Sequence, residues 1–197
     1  MYLEKKQLRA VFIDRDGTIN KMVYSQDHGV MDSPLLPAQA QLMPDAAKAL
    51  KLLKKKGFLL VLISNQPGMA KGKMTLNTFG AIERRIDALL AKEGVAFDDK
   101  YYCFHHPEAS VEKYRKVCAC RKPKPGMIKQ AAAELGASLR DSFVVGDGIV
   151  DVKAGIAAGC RTVFVGEFKS ELWASFAGGK KPDIIAKNLL AAAIKIR

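Results

Sequence analysis

The chain has 197 residues, 49% hydrophobic and 26% charged, with 32 Lys and Arg against 20 Asp and Glu for a formal charge of +12. That length fits one domain over 1–197 with a core that needs no disulfide staples, and the composition excludes a disordered chain. No apolar run reaches the length of a membrane span, and residues 1–6 have no apolar stretch behind their charges, so a cytoplasmic chain without a membrane partner is expected.

Residues 10–13 (Ala-Val-Phe-Ile) read as a buried strand. A helix is expected over 45–56, with Ala46, Ala49, Leu50 and Leu53 on one face and Gly57 as its stop. Residues 59–63 form the next apolar run. Thr75 can cap a long helix that turns Phe79, Ile82, Ile86 and Leu89 inward and ends at Gly94. Helices over 127–135 and 150–158 flank a strand at 143–145; strands follow at 162–165 and, as a short edge, 183–185. This alternation predicts an α/β fold, three layers α/β/α around a central parallel sheet. Sites in such sheets form at the carboxyl ends of the strands. Residues 20–44 and 101–126 break the rhythm and read as long functional loops.

Asp14-Arg15-Asp16-Gly17-Thr18 directly follows the first strand. Two carboxylates at one strand end can converge on a hard divalent cation such as Mg²⁺, or divide labour between attack and proton transfer. Ser64 follows the second strand and can donate to a phosphoryl oxygen at the same edge. Asp147 and Asp151 follow the strand at 143–145 and add carboxylates. Lys122 precedes a helix and can neutralise phosphate charge. Singly, Asp16-Gly17 is a turn, Ser64 a loop serine, Asp151 a helix cap and Lys122 part of a solvated basic loop. Their shared placement at strand ends and helix starts is the signal.

The second constellation is Cys103-Phe104-His105, twelve residues, then Cys118-Ala119-Cys120. Three thiolates and an imidazole complete a tetrahedral Zn²⁺ set and leave no open position, which predicts a structural metal. His106 competes with His105, which is preferred. Cys160 is expected to be a small buried hydrophobe.

The order DRDGT at 14–18, Ser64, Lys122 and GDGIVD at 146–151 resembles the haloacid-dehalogenase (HAD) phosphohydrolase superfamily. The zinc spacing and the run Cys118-Ala119-Cys120-Arg121-Lys122-Pro123-Lys124-Pro125-Gly126 look like its capless D-glycero-D-manno-heptose 1,7-bisphosphate 7-phosphatase family. Histidinol-phosphate phosphatases share the ligands but have a shorter spacer. The resemblance implies Asp14 as nucleophile, Asp16 as general acid and base, and Ser64 and Lys122 holding the phosphoryl group. It implies Mg²⁺ on Asp14, the Asp16 backbone carbonyl and Asp147, supported by Asp151, and substrate contacts from Asn65, Arg121 and Lys122. The expected substrate is a small phosphorylated sugar. Lys71, Lys73, Arg121 and Lys124 are available to its second anionic group. Gly148 stands where many such relatives carry a basic residue, and residues 20–44 are longer and richer in proline than the corresponding loop. A phosphatase of nucleic-acid ends is a second expectation. A zinc-stabilised nucleic-acid-binding module is a third, but no basic stripe interleaved with aromatics supports it. A monomer is expected.

Overall fold

The structure is a computed structural model that describes residues 7–26, 29–167, 179 and 181–197; residues 1–6, whose charges have no apolar stretch behind them, lie outside these. Its centre is a parallel sheet of β1 (Arg9–Ile13), β4 (Phe58–Asn65), β5 (Asp99–Cys103), β6 (Phe143–Gly146), β7 (Arg161–Val165) and β8 (Ile184–Ala186), in the order β5-β4-β1-β6-β7-β8. β1 is the pivot. It pairs with β4 from Arg9–Phe58 to Ile13–Leu62 on one side and with β6 from Val11–Phe143 to Ile13–Val145 on the other. The chain leaves β1 toward one edge and returns to fill the other, so a crevice opens at its carboxyl end.

Both faces are covered, which is why the strands are apolar without alternation. Val11 and Ile13 pack under α1 (Ala46–Lys55), α2 (Leu76–Lys92) and the last helix, Leu189–Lys195. Ala10 and Phe12 face α3 (Gly126–Leu135) and α4 (Ile149–Ala158). Thr75 caps α2 as expected, its Oγ1 accepting the Thr78 N–H at 3.1 Å. That helix buries Leu90 rather than Leu89, because Phe79, Ile82, Ile86 and Leu90 keep the three- and four-residue steps of one face.

Two expected loops contain structure. Residues 20–44 carry a two-stranded antiparallel hairpin, β2 (Val23–Ser25) with β3 (Val30–Asp32), then a 3₁₀ turn at Pro37–Gln39. The segment from 101 begins inside β5, whose Tyr101, Tyr102 and Cys103 pair with Ile63, Ser64 and Asn65. β5 was hidden by its polar start, Asp99-Lys100, and by its cysteine. Cys160 is buried among Ala10, Phe12 and α3, as expected.

Candidate active site

The carboxyl ends of β1, β4 and β6 bring the first constellation together. Oxygens of Asp14, Asp147 and Asp151 lie within 4.8 Å of one another. Lys122, 3% exposed, reaches the group from the turn before α3: Nζ is 2.7 Å from Asp14 Oδ1 and 2.6 Å from Asp151 Oδ1, and donates to the Ile63 carbonyl at 3.2 Å. Two glycines permit this crowding. A Cβ on Gly17, at φ +82, would lie 2.0 Å from Asp147 Oδ2, and one on Gly146 would lie 2.4 Å from Asp151 Cγ.

Three carboxylates face one ammonium, so the cluster is short of positive charge. Burial, then the charge of Asp151, pushes Asp14 up to about 8 against the pull of Lys122. Loss of hydration, then Asp151, pushes Asp147 up to about 6. Burial alone would depress Lys122, but Asp14 and Asp151 hold it above the ordinary lysine value and keep it charged. An all-carboxylate oxygen set with uncompensated charge fits a hard divalent cation.

Asp16 is held by four side chains. Arg15 donates from Nη2 to Oδ1 and Oδ2 at 2.9 and 3.0 Å, Asn20 Nδ2 to Oδ1 at 2.9 Å, and Ser33 Oγ and Gln66 Nε2 to Oδ2 at 2.9 and 2.6 Å. Burial would raise its carboxyl, but Arg15, with Asn20 and Gln66, keeps it below the usual carboxylate range. Gln66 Nε2 also donates to Ser64 Oγ at 2.9 Å, which leaves the buried serine hydroxyl its own proton to give. Asn65, half-buried, pairs with the Lys122 backbone. Its Nδ2 donates to the Lys122 carbonyl and its Oδ1 accepts the Lys122 N–H, both at 3.0 Å. Arg121 Nη1 donates to the His105 carbonyl at 3.3 Å. Lys73 is paired with Asp32 of the hairpin.

The cysteines and His105 form a second cluster beside the first. Sulfur separations are 3.5 Å for Cys103–Cys118, 3.3 Å for Cys103–Cys120 and 3.2 Å for Cys118–Cys120; His105 Nδ1 lies 3.5 Å from Cys120 Sγ and 3.9 Å from Cys103 Sγ. A tetrahedral site with metal–sulfur bonds of about 2.3 Å has edges of roughly 3.7 Å, so a slight expansion admits a metal ion. His106 is turned away, its Nδ1 accepting the Glu108 N–H at 3.1 Å. The cluster abuts α3: a Cβ on Gly126 would lie 2.5 Å from the Ala119 carbonyl oxygen. The tether between them carries Lys122.

The fold thus gathers Asp14, Asp147, Asp151 and Lys122 at one point, with Asp16, Ser64 and Gln66 in a connected chain beside them. Sequence reasoning assigned no role to Gln66, Asn20, Ser33, Arg15 or Glu83. Gln66 and Asn20 had a signal, since each lies within a few residues of a motif position. Ser33 and Glu83 had none, because their contacts span 17 and 68 residues.

Among the described residues no helix is long and apolar enough to cross a membrane. A family model described as HAD-hydrolase-like matches residues 119–192. The D-glycero-β-D-manno-heptose-1,7-bisphosphate 7-phosphatase of Escherichia coli K12 is 41% identical over 157 residues, 80% of this chain and 78% of its own. The enzyme of that name from Haemophilus ducreyi is 38% identical over 183 residues, 92% and 94% of the two chains. The D,D-heptose 1,7-bisphosphate phosphatase of B. bronchiseptica, solved with magnesium and phosphate, superposes with a TM-score of 0.76 at 28% identity, covering 95% of this chain and 97% of that one. The chain therefore belongs to the HAD-superfamily phosphatases, in the family of the heptose-1,7-bisphosphate 7-phosphatases.

Proposed function

We propose that the chain is a Mg²⁺-dependent phosphomonoesterase that removes the 7-phosphate of D-glycero-D-manno-heptose 1,7-bisphosphate through an aspartyl-phosphate. The observation that carries this reading is Lys122 Nζ bridging Asp14 and Asp151 where three carboxylates converge at a sheet crevice. Asp14, Asp147 and the Asp16 backbone carbonyl would hold Mg²⁺, with Asp151 in support. When bound, that ion offsets carboxylate–phosphate repulsion and draws charge from the phosphoryl oxygens.

A carboxylate oxygen of Asp14 forms a bond to phosphorus as the bond from phosphorus to the sugar oxygen breaks. Lys122 and the Ser64 hydroxyl hold the transferring oxygens. Asp16, kept ionised in the free protein by its donors, takes up a proton from solvent as substrate displaces those hydrogen bonds, and gives that proton to the departing oxygen. The same carboxylate then takes a proton from water, whose oxygen attacks phosphorus and restores Asp14, leaving inorganic phosphate. Asn65 fixes the Lys122 backbone, a positioning role beside the substrate contact expected for it. Arg121, Lys71 and Lys124 supply cationic groups for the second phosphate of the substrate.

The Cys103, His105, Cys118 and Cys120 set would hold a structural Zn²⁺ that pins the 101–126 segment. The chain acts as a single catalytic unit and as a monomer. A panel of both heptose 1,7-bisphosphate anomers, histidinol phosphate and a 5′-phosphorylated oligonucleotide at fixed Mg²⁺ tests the substrate. The highest kcat/KM is expected on a heptose bisphosphate, and preference for histidinol phosphate or the oligonucleotide overturns the assignment. Asp14→Asn is expected to abolish turnover with folding intact; retained turnover refutes the nucleophile.

A further inference from the structure

Asp16 sits at one end of a buried chain of groups that leads away from the crevice. Its strongest partner, Arg15, is fully buried. Arg15 divides its guanidinium: Nε and Nη2 face Asp16, and Nη1 donates to Glu83 Oε1 of α2 at 2.6 Å. Tyr102 of β5 donates its hydroxyl to Glu83 Oε2, and Lys100 Nζ lies 3.6 Å from the same oxygen. The rings of Tyr102 and Phe104 both meet Phe79 edge-on, at 5.0 and 5.1 Å, and Arg15 lies 5.8 Å from the Phe79 centroid.

We propose that Glu83 and Tyr102 are positioning residues for the acid–base carboxylate, acting through Arg15. The inference rests on the reading of Asp16 as general acid. A buried guanidinium needs its charge matched on more than one edge. Glu83 takes one edge, which fixes the plane of the fork so that the other edge meets Asp16. It also offsets the Arg15 charge, so Asp16 is held in place without being locked into an ion pair it cannot leave. Tyr102 in turn fixes the Glu83 rotamer. Because Tyr102 is adjacent to Cys103, the chain runs from the cysteine cluster through β5 and α2 to the group that handles protons. A merely architectural role would have no need to aim the fork at Asp16.

The discriminating readout is leaving-group dependence. Expulsion of an alkoxide needs a proton from Asp16, whereas a nitrophenolate leaves without one. kcat/KM, which covers transfer to Asp14 and not the later hydrolysis, is compared on an alkyl phosphate (the preferred sugar phosphate) and on p-nitrophenyl phosphate. E83Q keeps size and a hydrogen-bond acceptor but removes the charge; Y102F keeps the ring and removes the hydroxyl. E83Q is expected to lower the alkyl value roughly tenfold while leaving the aryl value within about threefold, and Y102F to do the same to a smaller degree. Should E83Q fail to fold by circular dichroism, Y102F and R15K carry the test. Equal losses on both substrates, or no loss on either, overturn the inference. D16N is the reference: if it shows the alkyl-selective loss and the Glu83 and Tyr102 variants do not, the positioning chain alone is wrong. If D16N shows no selectivity, the general-acid reading fails and takes the inference with it.

Discussion

Replacing Asp14 by Asn is expected to destroy activity and, in magnesium-free buffer, to stabilise the protein. Asp14 faces Asp151, Asp16 and Lys122, and its carboxyl is raised from 3.8 to about 8. Below pH 3.8 both folded and unfolded states hold the proton, and nothing is lost. As the pH climbs, the unfolded chain releases it while the folded one keeps it, so stability falls until about pH 8 and then levels. At pH 7 the difference between 3.8 and 7 corresponds to about 4 kcal/mol. The side chain is 13% exposed, so water and side-chain relaxation soften the effect; roughly half, about 2 kcal/mol, is the working figure. An amide escapes that penalty. For a chain of this size the gain is a melting temperature about 4–8 °C higher than that of the unsubstituted protein. Scanning fluorimetry from pH 4 to pH 8 reads it directly, with zinc retained and magnesium omitted. The gap should close toward pH 4, and millimolar Mg²⁺ should raise the unsubstituted protein far more than the variant. An Asp14→Asn variant that melts at or below the parent at pH 7.5 without magnesium would refute the charge-crowding argument, as would a gain of equal size at pH 4.

Magnesium affinity should weaken as Asp147, raised to about 6, takes up its proton, so calorimetric titration is expected to show a clear loss of binding between pH 7 and pH 5. Removing zinc with a zinc-selective chelator should speed hydrogen exchange over 101–126 and lower the melting temperature; full protection in zinc-free protein would count against the clamp. Asn65→Ala removes both bonds to the Lys122 backbone and should cost about 1–3 kcal/mol, with kcat falling more than KM rises. Gly155→Ala places a Cβ 2.6 Å from Thr162 Cγ2 and 2.9 Å from Val144 Cβ, so overpacking should exceed the helix-propensity gain and destabilise by about 1–2 kcal/mol, seen as a lower urea midpoint with kcat retained.

The central strands were legible because each is a short apolar run bounded by Gly or polar residues, and burial on both faces leaves no polar alternation to confuse with a helix. β5 was not, because Asp-Lys-Tyr-Tyr-Cys is an edge strand whose apolar character lies in two tyrosines and a metal-type ligand. The hairpin escaped for a related reason: its strands are three residues each and none of those residues is buried. Asp14, Asp147 and Lys122 could be brought together in advance, since a parallel sheet sends its strand ends and the starts of the following helices to one edge. The hold on Asp16 could not. It depends on Ser33 arriving from a segment 17 residues away and on Glu83 reaching Arg15 across 68; Gln66 stands beside the Ser64 motif, but the carboxylate it meets lies 50 residues from it. Local sequence specifies where a carboxylate sits on its strand, but not which distant amide or hydroxyl it will meet.

All the strands of the main sheet run the same way, so the returns at Gly57, Gly136 and Gly159 lie on the rim opposite the carboxylates. A thiol or biotin handle grafted there would immobilise the protein on a bead or sensor chip with its crevice facing the bulk solution. Turnover by the tethered protein should then match that of the free one, which makes this rim the place to attach a reporter.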